Sequence, residues 1–343
     1  MARLMKGTAL IVGGGMMLLG SVWGWTAVAP PSPLPGDVIL VIPAGASVTQ
    51  VAGLLAREGV IRSALGFRLR AAWQGVSHRL QAGEYLFAEA AAPHEVLGRL
   101  VAGDVLLHAL TVPEGLTLRQ TVALLAESDL EIQGDLEAAA GRTELVADFD
   151  SQAVDLEGYL FPDTYQLARS TDAELVVEVM VERFREVSRQ LREGRPGLPS
   201  PAITNTRSWV ALASLVEKET ALPEERGRVA GVFLNRLRLG MPLQCDPTVA
   251  YALQLAGIQQ EGSLARWLDL EHPYNTYTRT GLPPGPIANP GRAALAAALN
   301  PQPSQDLYFV ADGRGGHRFS PSLVEHNKAV RLWRSHRAEA RTP

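Results

Sequence analysis

From residue 7 to residue 29 the chain carries no charged side chain: GTALIVGGGMMLLGSVWGWTAVA, with Arg3 and Lys6 just ahead of it. About 20 apolar residues in helical form span the hydrocarbon core of a bilayer. The basic flank predicts that the N-terminus stays in the cytoplasm, and Trp23 and Trp25 fall near the far end, where indole rings favour the interface. A cleaved secretory signal is the competing reading, because Ala27-Val28-Ala29 resembles a small-residue cleavage site. The length of the run and Pro30 after it favour a retained anchor. On either reading the remainder is exported, and PPSPLPG at 30–36 is a stiff, extended spacer.

Past the spacer a pattern recurs. VIPAGASVTQVAGLLA (41–56) and TVPEGLTLRQTVALLA (111–126) match at an offset of 70 residues, sharing Pro43/Pro113, Gly45/Gly115 and Gln50/Gln120. Each predicts a short strand, a Pro-x-Gly turn, a Ser or Thr N-cap and an amphipathic helix. A second echo pairs GEYLF (83–87) with EGYLF (157–161) at an offset of 74, with helical stretches following at 94–102 and 172–193. Residues 38–103 and about 109–190 thus read as diverged copies of one small α/β unit. In 174–193, Leu175, Val176, Val179, Met180 and Phe184 fall on one helical face, and the Glu and Arg residues form a solvated one. Further on, 224–239 predicts a helix stopped at Gly240. LYFVADGRGGHRFS (307–320) predicts a β-hairpin, and HNKAVRLWRSHRAEARTP a basic helix with a tail.

Composition narrows the function. A hydrophobic fraction of 46% and 20% charged residues suit a folded exported part with a real core. Net charge is −4 with no long block of one sign, which argues against a nucleic-acid binder. Cys245 is the single cysteine, so no intrachain disulfide can form. The seven histidines lack metal-site spacing, and no cofactor is implied.

The chemistry concentrates in ASLVEKET (213–220), where Glu217, Lys218 and Glu219 follow an apolar helix. At 100° per residue Glu217 falls beside Val210, Ala213, Ser214 and Thr220, small side chains that leave room for an approaching group. Glu219 lies nearly opposite, with Leu212 and Leu215. Apolar surroundings raise a carboxyl's pKa, the condition a general acid needs near neutral pH. A helix-end glutamate reaching solvent is the plain alternative. Downstream, YNTYTRTGLPPGPIANPG (274–291) is rich in uncharged polar and aromatic side chains, which suits a neutral sugar polymer through hydrogen bonds and stacking.

Five segments in order, EGYLFPDTY (157–165), ASLVEKET, VFLNRLRLGMPLQCDPTV (232–249), YNTYTRTGLPPGPIANPG and YFVADGRGGHRF (308–319), closely resemble the YceG-like family over about 38–335. The resemblance implies an α+β architecture: an N-terminal anchor (1–29), the spacer (30–37), a LysM-like α/β subdomain (38–108), a catalytic domain (109–335) and a basic tail (336–343). It implies an endolytic lytic transglycosylase of peptidoglycan strands on the outer side of the cytoplasmic membrane, with glycan synthases as expected partners. It also assigns Glu217 as the catalytic acid/base. Cys245 departs from the family, where a Thr or Ser is familiar between the Gln and the Asp-Pro-Thr.

One carboxyl suffices for that reaction, since a sugar hydroxyl rather than water attacks. Asp246 is the best second carboxyl, which a muramidase would need to activate water; an Asp-Pro turn is its plain reading. Glu157 and Tyr159 are candidates for substrate contact, against packing. Asn235, Gln244, Thr248, Tyr274, Asn275, Thr276 and Tyr277 are candidates for binding sugar or peptide groups. A non-enzymatic glycan-binding scaffold is the third reading.

Overall fold

The computed structural model describes residues 36–194 and 200–339, with residues 34, 197 and 198 besides; of 336–339 only the backbone is described. The predicted anchor at 7–29 lies outside these residues. Among the described residues no helix is long and apolar enough to cross a membrane. The architecture is mixed α+β, with helices around two-stranded sheets.

The chain forms two compact units. One takes the described residues up to Ala109 with Asp129–Glu131 and Gln166–Thr171; the other takes Leu110–Ser128, Ile132–Tyr165 and the chain from Asp172. In the first, β1 (Val38–Ile42) pairs antiparallel with β2 (Gly83–Phe87), Ile42 opposite Gly83. Side chains alternate across a strand, so Leu40 and Ile42 enter the core while Ile39 and Val41 face out. Helices α1 (Val48–Arg57), α2 (Ala64–Trp73) and α3 (Pro93–Ala102) supply Val51, Leu55, Phe67, Val96, Leu97 and Leu100 to that core.

The repeat seen in the sequence is real as local structure. Strand β3 (Leu107–Thr111) leads through Pro113-Glu114-Gly115 into α4 (Leu118–Ala126). Thr117 and Gln120 form the same reciprocal capping box there as Ser47 and Gln50 do at α1. Gly45 and Gly115 both turn with positive φ, 73° and 77°. The second echo falls elsewhere than its letters suggest. EGYLF at 157–161 is a turn, and the strand that pairs with β3 is β5 (Thr164–Ala168). The counterpart of Tyr85 is therefore Tyr165, 80 residues on: each hydroxyl donates to the carbonyl four residues before it, Gln81 and Phe161 respectively. Gly158 explains the turn, since its φ of 86° is left-handed and suits no strand.

Strand β4 (Glu131–Gln133) pairs with β6 (Ser170–Asp172), with the short α5 (Leu136–Ala140) between them in sequence. The second unit is built on α6 (Ala173–Arg192), α7 (Thr206–Glu219), α8 (Pro223–Arg238), α9 (Asp246–Leu255) and α10 (Arg292–Leu299). The predicted hairpin forms as β7 (Tyr308–Ala311) and β8 (His317–Ser320), followed by α11 (Leu323–Glu339). Trp209 lies at the centre, fully buried, its indole N–H donating to the Leu295 carbonyl of α10 at 3.0 Å.

Candidate active site

Helix α7 starts at Asn205, whose side chain accepts from the Ser208 N–H, and runs buried from Trp209 to Val216. The small side chains beside Glu217 do leave room, and the chain's own 286–291 segment fills it. Ser214 Oγ accepts from the Ile287 N–H at 3.1 Å. Pro286 and Val210 close around Gly158, where a β-carbon would lie 2.5 Å from one and 2.9 Å from the other.

This close approach delivers a donor to Glu217: the Gly291 N–H bonds Oε2 at 2.9 Å. The Glu217 side chain is only 7% exposed, and Arg226 Nη2 stands 3.6 Å from Oε1. The same Nη2 is 3.8 Å from Glu114, which is half-exposed. Burial raises the Glu217 pKa above the carboxylate norm and the Glu114 charge adds to this, while the Gly291 N–H and Arg226 pull it back. The result is a shielded carboxyl inclined to hold its proton.

Glu114 escaped the sequence reading, yet a signal was there: where the first repeat has Ala44 in its Pro-x-Gly turn, the second has Glu114. Asn289 fastens this turn. Its carbonyl accepts from Gly115 at 2.9 Å, its N–H donates to the Leu116 carbonyl, and its amide reaches Thr121.

On the opposite side of the end of α7, Glu219 lines a cavity of about 250 Å³ with Arg236, Gln244, Asp246, Tyr277 and His317. Gln244, Asp246 and Tyr277 are thus gathered around Glu219, because residues two apart on a helix point about 200° apart. Burial raises the Glu219 pKa, offset by the Cys245 thiol that donates to it. Tyr277 donates to Asp246 Oδ1 at 2.5 Å.

Gln244 is held at φ 51°, the one non-glycine residue with positive φ among those described. Its strain is sustained by neighbours. The Gln244 N–H donates to the Thr276 carbonyl at 3.1 Å, the Cys245 N–H to Thr276 Oγ1 at 3.0 Å, and Arg236 Nη1 to the Leu243 carbonyl at 2.9 Å. Thr248 and Thr276 join hydroxyls 2.9 Å apart and are fully buried, so they shape the loop from behind.

The other predicted contacts are internal. Asn275 is fully buried, its amide donating to the Leu268 and Leu270 carbonyls. Asn235 likewise ties the Ser304 and Asp306 carbonyls. Tyr159 is buried and donates to Asp150, which also pairs with Arg207. Glu157 is buried, accepting from the Leu118 N–H at the start of α4 and from Tyr251. Burial pushes its pKa up to about 8. Tyr274 packs its ring on Tyr251, 5.0 Å between centroids. A larger groove of about 910 Å³ along α6, lined among others by Phe149, Glu182, Arg185 and Arg189, contains none of the predicted site residues.

The described residues thus form an α+β fold with a shielded carboxyl at the end of α7 and a small polar cavity on the opposite side of that end. Residues 40–332 match the YceG-like family, and the chain belongs to that family. The matched relatives carry the name of a lyase, endolytic murein transglycosylase. The one from Bacillus subtilis is 33% identical over 87% of this chain and 85% of its own length. The one from Streptococcus pneumoniae is 32% identical over 84% of this chain and 57% of its own length. A crystal structure of a YceG-like protein from Listeria monocytogenes superposes with a TM-score of 0.54 at 30% identity, covering 85% of this chain and 98% of that one.

Proposed function

We propose that the chain is an endolytic lytic transglycosylase. It cuts the bond between N-acetylmuramic acid and N-acetylglucosamine inside peptidoglycan strands, with Glu217 as sole acid and then base. The observation that carries this is the shielding of Glu217: a 7% exposed carboxyl with one main-chain donor and a raised pKa. Protonated, it gives its proton to the glycosidic oxygen as the bond to C1 breaks. The carboxylate left behind takes the proton of the sugar's own C6 hydroxyl, whose oxygen bonds C1 and closes a 1,6-anhydro ring. The proton count returns to its start, and no water is consumed. Gly291 and Arg226 steady the carboxylate between the two steps.

The family match and the relatives' names support the same substrate. Asp246 lines the cavity with Glu219, so a hydrolase that activates water with a second carboxylate would work there, and product mass separates the two readings. The cavity around Glu219 suits a neighbouring sugar: acceptors from Glu219 and Asp246, a donor amide from Gln244, and the Tyr277 ring. Segment 7–29 anchors the enzyme in the cytoplasmic membrane, with the LysM-like and catalytic parts outside. There it meets strands as synthases extrude them.

Product mass tests the reaction class. Anhydro ends are lighter by one water than hydrolytic reducing ends, so fragments of the hydrolytic mass would replace this reading with a muramidase.

A further inference from the structure

The segment GRGGHRF (313–319) leads into the second strand of the β7–β8 hairpin, and one of its glycines does more than turn the chain. A β-carbon on Gly316 would lie 2.8 Å from Glu225 Oε1 and 3.2 Å from Leu222. Without one, the hairpin closes onto the first turn of α8 and Glu225 grips His317 twice. Oε1 accepts from the His317 main-chain N–H at 2.7 Å, and Oε2 lies 2.7 Å from ring Nδ1. Thr220, one residue beyond α7, donates to the same Oε2 at 3.2 Å. Both side chains are largely buried, 13% exposed for Glu225 and 17% for His317. The imidazole meets the Phe309 ring edge to face, 5.3 Å between centroids.

A carboxylate only accepts, so Nδ1–H donates to Glu225, and in the neutral imidazole Nε2 is then a bare acceptor. Among the described residues Nε2 has no hydrogen-bond partner. The ring lines the 250 Å³ cavity with Glu219, Asp246 and Gln244. It stands near enough to Glu219 to oppose the effect of burial on that carboxyl's pKa. Arg236 directs Nε and Nη1 away to main-chain carbonyls, Leu307 at 2.6 Å and Leu243 at 2.9 Å. His317 thus adds a third acceptor beside Glu219 and Asp246, a set that suits hydroxyl groups.

Resting on the substrate reading above, we propose that His317 is a further substrate-contacting residue, whose Nε2 accepts a hydrogen bond from a hydroxyl of the sugar seated in the Glu219 cavity. Glu225 is its positioning residue and acts through the ring, by fixing which nitrogen is bare. The contact holds a hydroxyl-bearing sugar in register, so its loss weakens binding more than the chemical step at Glu217.

The test is the kinetics of the full-length protein in detergent on uncrosslinked glycan strands, with product masses read in the same runs. An asparagine amide takes the place of Nδ1 and a glutamine amide that of Nε2, so two substitutions separate the two sides of the ring. His317→Asn keeps the donor to Glu225 and should raise KM roughly five- to tenfold with kcat little changed. His317→Gln returns an acceptor to the cavity and should stay within about threefold of the wild-type KM. Glu225→Gln must keep its oxygen on the His317 main-chain N–H, which cannot accept. Its amide N–H then donates to Nδ1, and the ring hydrogen moves to Nε2. KM should rise as in His317→Asn, and joining the two substitutions should raise it no further, because both remove the same acceptor. A KM for His317→Asn within about twofold of wild type overturns the contact. Equal rises in His317→Asn and His317→Gln, on protein with wild-type circular dichroism, assign the effect to packing of the ring and overturn the hydrogen bond. Additive rises overturn the role of Glu225. Wild-type products with hydrolytic ends overturn the reaction class above, and KM still decides the contact.

Discussion

Gly291 and Glu217 stand 74 residues apart in sequence, and the main-chain N–H of the first donates to the carboxyl of the second at 2.9 Å. The contact depends on the small side chains of α7 on one side and on the bend at Gly158 on the other. Charged neighbours then set how firmly Glu217 holds its proton. Glu114 favours the protonated form, and Arg226 opposes it.

These two neighbours should move the pH profile in opposite directions. A general acid must be protonated, so kcat/KM falls as pH rises through the Glu217 pKa. Glu114→Gln removes a negative charge and should shift that fall to lower pH; Arg226→Gln should shift it to higher pH. Profiles of both variants, taken on protein with wild-type circular dichroism, check this. Shifts in the same direction would contradict the arrangement.

Gly158→Ala should destabilise the fold by ~3 kcal/mol, combining left-handed backbone with overpacking. The added carbon would press on Pro286 and Val210. Urea unfolding measures the loss, and a change below about 1 kcal/mol would mean that the 286–291 segment is not pressed against α7.

At Gln244, glycine should be tolerated and valine should not. Glycine adopts a φ of 51° freely, offsetting its greater entropy in the unfolded chain, so stability should change by less than about 1 kcal/mol. A β-branched residue there should cost roughly 2 kcal/mol. Thermal melts of the two variants decide it. Loss of the Gln244 amide should in both cases raise KM more than it lowers kcat.

Glu157 should make stability depend on pH. A carboxyl raised to about 8 in the folded protein binds its proton more tightly there than in the unfolded chain. Its contribution is therefore fully present below about pH 4.5 and is lost as pH rises through about 8. The loss is on the order of 3–5 kcal/mol. Glu157→Gln keeps an acceptor for Leu118 and Tyr251 and should flatten the curve over that window.

The sequence made the first half of the fold readable because capping boxes and Pro-x-Gly turns are local chemistry. Ser47 with Gln50 and Thr117 with Gln120 needed no tertiary context. The second echo misled, since EGYLF shares letters with a strand but has a left-handed glycine at its second position. In the site, Glu217 was singled out by the family resemblance, since its helix position alone reads equally as a helix-end glutamate reaching solvent. Asn275, Thr276 and Thr248 read as sugar contacts because polar side chains on loops look alike whether they bind a ligand or satisfy buried carbonyls. Glu219 and Glu114 were passed over for the opposite reason. Each takes its meaning from partners far along the chain, Gln244 to Tyr277 for one and Arg226 for the other.

The most direct test compares wild-type protein with Glu217→Gln on uncrosslinked glycan strands, products read by mass spectrometry. Internal fragments with 1,6-anhydro ends are expected from the wild type, and a kcat lower by about 10²–10⁴ in the variant. A Glu217→Gln protein that still produced anhydro ends at the wild-type rate would contradict the assignment and send the search for the acid to Glu219.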